Sequence, residues 1–209
     1  MWERQAYLKL RPVAGDLDLA LPFIESLSGL IYHVTPADRL AEEMSVMRRR
    51  MQVELTKEKV GKLHVKLGRG GMADIEFAVQ LLQLAHGAER PALRGGNTLK
   101  VLEAAGHEGL LAEEEVACLR AAYRFLRAVQ NRLRVASDLG NSSLPEEASR
   151  RDRLARRLGY EAEEGRAPGE RLLADYLRYT EQVRTIYDAT FGRYSRGERK
   201  DGEPRTMNL

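Results

Sequence analysis

Gly68-Arg69-Gly70-Gly71-Met72-Ala73-Asp74-Ile75-Glu76-Phe77 is a glycine-rich turn that runs straight into a helix, and reading it decides the fold. Gly70 and Gly71 allow positive φ or a close approach to another surface. Beyond them Ile75, Phe77, Ala78, Val79, Leu81, Leu82, Leu84 and Ala85 leave few polar positions. The segment therefore reads as a helix that is apolar almost all round, central in a bundle and ending near Gly87. Asp74 and Glu76 stand in its first turn, where a helix N-terminus favours negative charge. Residues two apart on a helix point about 200° from each other, so the two acids cannot share one metal or substrate atom. Two roles stay open for the turn. It is either structural, with Asp74 stabilising the helix start and Glu76 pairing with a buried arginine, or it is an interface. A phosphate cradle is disfavoured, because the turn lacks the Gly-Lys-Ser/Thr ending of a P-loop and sets two acids beside any anion.

Working outward, helices carry the rest. Thr35-Pro36-Ala37-Asp38 predicts a capped start, with Thr35 accepting from a first-turn N–H, for a helix reaching about Lys57. Its stripe is Leu40, Met44, Met47, Met51 and Leu55, with Arg48, Arg49 and Arg50 largely on other faces. A shorter helix from about Leu19 to Tyr32, with Asp16 or Asp18 near its start, precedes it. Leu63-His64-Val65-Lys66-Leu67 alternates like a strand but has no evident partner. Asn97 caps a brief helix ending at Gly106, and a long one begins near Ala112 with Glu113, Glu114 and Glu115 in its first turn. Val116, Leu119, Tyr123, Leu126, Val129 and Leu133 form its buried seam, while Arg120, Arg124, Arg127 and Arg134 line an adjacent strip. Further helices are expected from Pro145 to Leu158, with Gly159 as terminator, and from about Glu170 to Phe191. The fold class is all-α: a single bundle of six to eight helices over 17–191, preceded by a linker at 1–16 and followed by a polar, disordered tail at 192–209.

Composition narrows the function. The 209 residues are 43% hydrophobic, and 34 Lys and Arg nearly cancel 31 Asp and Glu, leaving a formal charge of +3 that argues against a nucleic-acid partner. No apolar run approaches the ~20 residues of a membrane span, and the start lacks signal-peptide order, so a cytoplasmic protein is expected. Cys118 is the one cysteine, which rules out an internal disulfide and a cysteine-based metal site. His33, His64, His86 and His107 lack metal-ligand spacing, and no serine sits in a nucleophile elbow, so neither a metal site nor a catalytic residue is expected.

Trp2-Glu3-Arg4-Gln5-Ala6 through Arg11-Pro12-Val13-Ala14-Gly15-Asp16, then Lys66-Leu67-Gly68-Arg69-Gly70-Gly71 with Asp74-Ile75-Glu76-Phe77 and Gln80-Leu81-Leu82-Gln83-Leu84, resemble glutamine synthetase adenylyltransferase. Asn97-Thr98-Leu99, Ala122-Tyr123-Arg124-Phe125-Leu126-Arg127, Leu144-Pro145 and Leu154-Ala155-Arg156-Arg157-Leu158-Gly159-Tyr160 continue the likeness over nearly the whole chain. Ala73 and Gln130 depart from it, standing where the family often has arginine and glutamate.

The resemblance implies one helical bundle of a two-halved enzyme, closer in wording to the C-terminal, adenylylating half. In such an enzyme a nucleotidyltransferase domain, marked by a Gly-Ser turn followed by an Asp-x-Asp pair, a combination this sequence does not contain, uses ATP and magnesium to place AMP on glutamine synthetase, and the other half removes it. This chain is then expected to hold no cofactor and to be inactive alone. Its partners would be the nucleotidyltransferase domain of the same chain, glutamine synthetase and the PII signal protein. Arg4, Arg11, Lys66, Arg69, Gly70, Gly71, Asp74 and Glu76 become the residues expected at the domain interface or near its nucleotide. Arg120, Arg124, Arg127 and Arg134 become a partner-binding strip. Two other readings remain: a free-standing helical adaptor for an acidic partner, and the equivalent bundle of a PII uridylyltransferase.

Overall fold

The computed structural model describes residues 2–55, 63–136, 142–163 and 165–195. Nine α-helical segments occur among them: α1 (Trp2–Tyr7), α2 (Leu17–Ser26), α3 (Ser28–Ile31), α4 (Ala37–Arg50), α5 (Met72–His86), α6 (Thr98–His107), α7 (Glu113–Ala136), α8 (Ala148–Arg157) and α9 (Pro168–Ser195). A π-helical stretch, Met51–Leu55, continues α4, and a single 3-10 turn, Pro91–Leu93, links α5 to α6. Seven of the α-helices have ten or more residues, in keeping with the expected all-α bundle of six to eight. α9 runs on to Ser195, past the expected start of the tail at 192; residues 196–209 lie outside the described residues.

α5 is the spine, as its sequence requires. Twelve of its fifteen residues are buried, and it packs on α4, α6, α7 and α9. Each Leu or Ile so enclosed contributes about 1.5–3 kcal/mol of transfer free energy. Its two glutamines are buried with partners. Gln80 Oε1 accepts from Gln5 Nε2 at 2.9 Å and ties α1 to the spine, while Gln83 Nε2 donates to the Leu93 and Gly95 carbonyls. Buried amides need such partners, so these bonds fix where the flanking segments lie.

Local chemistry sets the ends of the helices. Asp16 Oδ1 accepts from the N–H groups of Asp18 and Leu19 to start α2, and Asn97 Oδ1 accepts from those of Leu99 and Lys100 to start α6. Glu115 reaches back to the N–H of Ala112 at the head of α7, and Gly159 at φ +87° follows α8. At α4 the expected cap fails. Pro36 occupies the N-cap position, and Thr35 Oγ1 accepts from Arg4 Nη1 at 2.8 Å instead of from the helix.

Along α9 Leu172, Tyr176, Val183, Tyr187 and Phe191 are buried, while Leu177 is exposed. The strand-like segment does find a partner, 79 residues away: Val65 N–H donates to the Ser142 carbonyl and Leu144 N–H to the Leu63 carbonyl, each at 2.8 Å, around a bridge between His64 and Ser143. No propensity in the sequence specifies a pairing so remote. Finally, α2 buries none of its residues; Leu17, Leu19, Leu21 and Phe23 are all exposed.

Candidate functional site

The glycine turn is folded onto the start of α5 by its own backbone. Gly71 N–H donates to the Gly68 carbonyl, and the N–H groups of Met72 and Ala73, orphans of the first helical turn, donate to the carbonyls of Val65 and Lys66. Gly70 N–H donates to Asp74 Oδ2 at 2.7 Å. With these donors taken, the turn has no N–H cradle left for a phosphate. Gly70 must be glycine: its φ is +70°, and a Cβ there would lie 1.9 Å from the Thr180 carbonyl oxygen of α9. At Gly71 a Cβ would crowd the carbonyls of Val65, Lys66 and Gly68.

Under the turn lies a buried ion pair. Arg48 Nε donates to Asp74 Oδ1 at 2.6 Å, and both side chains are almost wholly enclosed. Arg48 Nη2 donates to the carbonyls of Leu67 and Gly68, both at 2.9 Å, so one guanidinium holds α4, the turn and α5 together. Arg184 of α9 approaches the other carboxylate oxygen at 3.5 Å while it pairs with Asp188 at 2.7 Å. Beside them the Tyr187 phenol is pushed up to about 12 by burial and by Asp74, and stays neutral.

This corrects the sequence reading on two counts. Arg48 is not on a solvent face: it continues the Leu40–Met44 row at the next i+4 position, and that spacing was the available signal. The acid with the buried arginine is Asp74, whereas Glu76 accepts from the Tyr123 hydroxyl at 3.2 Å and lies 3.7 Å from Lys9. The two acids do face different neighbours, as their spacing requires.

His64 braces the same turn. Leu67 N–H donates to His64 Nδ1 at 3.0 Å, which assigns the proton of the neutral ring to Nε2. Burial lowers its pKa below the ordinary 6.5, with Lys66 and Arg48 acting in the same direction. Below about 6.5 the unfolded chain therefore binds more protons at this position than the folded one. Stability should be full above that pH and fall as the medium is acidified towards the folded-state pKa. Urea denaturation between about pH 7.5 and 5.5 should show this loss, with a smaller loss in His64→Gln; equal slopes for both proteins would refute it.

The remaining expected site residues are dispersed. Arg4 is buried, with Nε on the Ile31 carbonyl, Nη2 on that of His33 and Nη1 on Thr35. It thus closes the end of α3, and no guanidinium nitrogen is left to offer a neighbouring domain. Arg11 and Lys66 are exposed, and Arg69 pairs at the surface with Glu181 at 2.8 Å. The arginine strip divides: Arg120 pairs with Glu103, Arg127 stacks over Tyr123 and lines a cleft with Lys9 and Arg11, and Arg124 and Arg134 are exposed. Cys118 is half-buried against Gln182, and burial raises its thiol pKa, which disfavours the thiolate. No three His, Cys, Asp or Glu side chains converge on a point among the described residues. Nor is any described helix long and apolar enough to cross a membrane.

Known proteins can be set beside this geometry. The family model described as GlnD PII-uridylyltransferase matches residues 38–191, from the first turn of α4 to Phe191 of α9. The bifunctional glutamine synthetase adenylyltransferase/adenylyl-removing enzyme of Streptomyces avermitilis is 35% identical over 192 residues, covering 92% of this chain and 19% of that protein. The enzyme of the same name from Corynebacterium efficiens is 31% identical, covering 92% of this chain and 18% of its own. That of Mycobacterium tuberculosis strain H37Rv is 39% identical over 134 residues, or 64% of this chain and 13% of its own. The chain thus spans about a fifth or less of the length of these relatives. A match from α4 to α9, with likeness to the adenylyltransferases over a longer stretch of the chain, means that the chain belongs to the GlnD PII-uridylyltransferase family, as a helical segment of the kind found in glutamine synthetase adenylyltransferases.

Proposed function

We propose that this chain is the helical domain of a glutamine synthetase adenylyltransferase, the C-terminal of two such bundles, and that it docks on a nucleotidyltransferase domain of the same protein. One observation carries the reading: α2 exposes Leu17, Leu19, Leu21 and Phe23 and buries none of its ten residues. A helix so apolar gains nothing by lying bare on a bundle, and exposed apolar patches of this kind mark interaction surfaces. The N-terminal segment beside it presents Val13 and Arg11 to solvent as well. Lys66 and exposed Arg69 would complete the polar margin of the contact.

In this reading ATP and magnesium belong to the neighbouring domain. Transfer of an adenylyl group needs carboxylates to hold a metal that neutralises phosphate charge, and the one buried acid of the glycine turn is committed to Arg48. The bundle would position that domain and offer glutamine synthetase or the PII protein a basic strip at Arg120, Arg124, Arg127 and Arg134, in a cytoplasmic setting. The GlnD-type match supports a second assignment, the corresponding bundle of a PII uridylyltransferase. Relatives 31–39% identical, over as much as 92% of the chain, carry the adenylyltransferase name, which favours the first. A free-standing adaptor for an acidic partner would need neither neighbour.

The test uses Leu19→Asp and Phe23→Asp together. Because both side chains are exposed, stability should change by less than about 0.5 kcal/mol per site. Affinity for a separately produced nucleotidyltransferase domain, measured by sedimentation, should drop at least about tenfold, as for loss of apolar anchors at an interface centre. Unchanged affinity would refute the docking surface. Transfer of radiolabelled AMP to glutamine synthetase by the 209-residue chain alone would refute its assignment as a non-catalytic domain.

A further inference from the structure

Beside Arg48 a cleft of about 300 Å³ opens between α4 and α9 at the edge of the glycine turn, bordered by Ser45, Arg48, Arg49, Arg69, Arg184 and Tyr187. Its charges do not balance. Arg48 is matched by Asp74, Arg69 by Glu181 and Arg184 by Asp188, but Arg49 is exposed and has no carboxylate within ion-pair distance among the described residues. Arg48 is also incomplete: Nε and Nη2 are bonded, while Nη1 is buried without a hydrogen-bond partner. An unmade hydrogen bond at a buried charged group costs more than a made one contributes, so an orphaned guanidinium N–H in a basic cleft calls for an acceptor.

We propose that this cleft binds a small oxyanion, a single phosphoryl or carboxylate group, which accepts from Arg48 Nη1 and takes its second cation from Arg49. Arg48 is preorganised for the task, since Asp74 and two carbonyls already hold its plane and binding spends little further side-chain entropy on it. Charge-assisted bonds from guanidinium nitrogens are the strong class of such contacts. Asp188 and Glu181, paired at the margin, oppose an extended polyanion and favour one head group. Nη1 lies beneath the cleft floor, so an oxygen reaches it only as neighbouring side chains shift, and binding must register on Arg48 itself. This site stands apart from the α2 docking surface and does not depend on it.

The experiment titrates the 209-residue chain with sodium phosphate and, separately, sodium acetate, following the arginine Nε resonances by NMR against sodium chloride at matched ionic strength. Saturable movement of the Arg48 resonance is expected with at least one of the two, and the tighter binder tells a phosphoryl from a carboxylate ligand. Arg49→Gln, an exposed substitution that leaves the buried pair intact, should weaken binding by about fivefold or more. Arg120→Gln on α7 should leave it unchanged. Movement that chloride reproduces, a linear response to both anions, or wild-type affinity in Arg49→Gln would overturn the proposal.

Discussion

Asp74→Ala is expected to destabilise the domain by about 3–5 kcal/mol, the range for breaking a buried ion pair from one side. Three losses coincide. Arg48 keeps its charge at the centre of the fold with its Nε unpaired, Gly70 N–H loses its acceptor, and Arg184 loses its inward carboxylate neighbour. A domain of this size has roughly 5–15 kcal/mol in total, so the variant should approach the threshold of folding. Asp74→Asn keeps an acceptor oxygen of the same shape and should recover part of the loss. Urea denaturation followed by circular dichroism measures both, and a change under about 1 kcal/mol for Asp74→Ala would show that water replaces the carboxylate. The same reasoning bears on any assay of Asp74→Ala in a longer enzyme. Lost transfer there would report a collapsed bundle as readily as a broken joint, so only a variant shown to be folded tests the joint.

Gly70→Ala is the second large effect, and its cause is steric. A non-glycine residue in the left-handed region costs about 1–2 kcal/mol. The added Cβ also falls 1.9 Å from a backbone oxygen of Thr180, so α9 has to retreat from the turn. Overpacking of a tight contact typically costs about 1–3 kcal/mol more, and here the neighbour is helix backbone that cannot rotate away. A total of about 2–5 kcal/mol is expected in urea denaturation. Gly109→Ala, also at positive φ but with nothing within 4 Å of its Cβ, should show only the backbone part. Equal losses at the two positions would refute the contact with Thr180.

The two variants show why the helices were legible in the sequence and the turn's role was not. α5 announced itself because its apolar content and the preceding glycines are local properties, and Asn97 and Asp16 mark caps for the same reason. Arg48 did not, because a charge within Arg48-Arg49-Arg50 is assigned to solvent unless its partner is known, and that partner lies 26 residues away. Arg4 misled likewise: an arginine in a short basic and aromatic segment suggests an anion, yet Ile31, His33 and Thr35 close around it. The bare face of α2 was invisible for the opposite reason, since apolar residues at helical spacing are taken for core. Residues that close the fold at a distance are the ones a sequence reports least well.

The bridge joining residues 63–65 to 142–144 has a kinetic side. Clasping two points 79 residues apart in an unfolded chain carries a loop-closure penalty that grows as the logarithm of the separation. Once α5, α6 and α7 have packed, most of that span is already rigid and the ends are delivered to each other, so the clasp belongs late in assembly. Val65 of the bridge and Lys66 just after it also supply the carbonyls that receive the leading N–H groups of α5. The segment that finishes the N-terminus of the spine is therefore itself pinned by the stretch ahead of α8, which makes a remote backbone contact the latch on the most central helix.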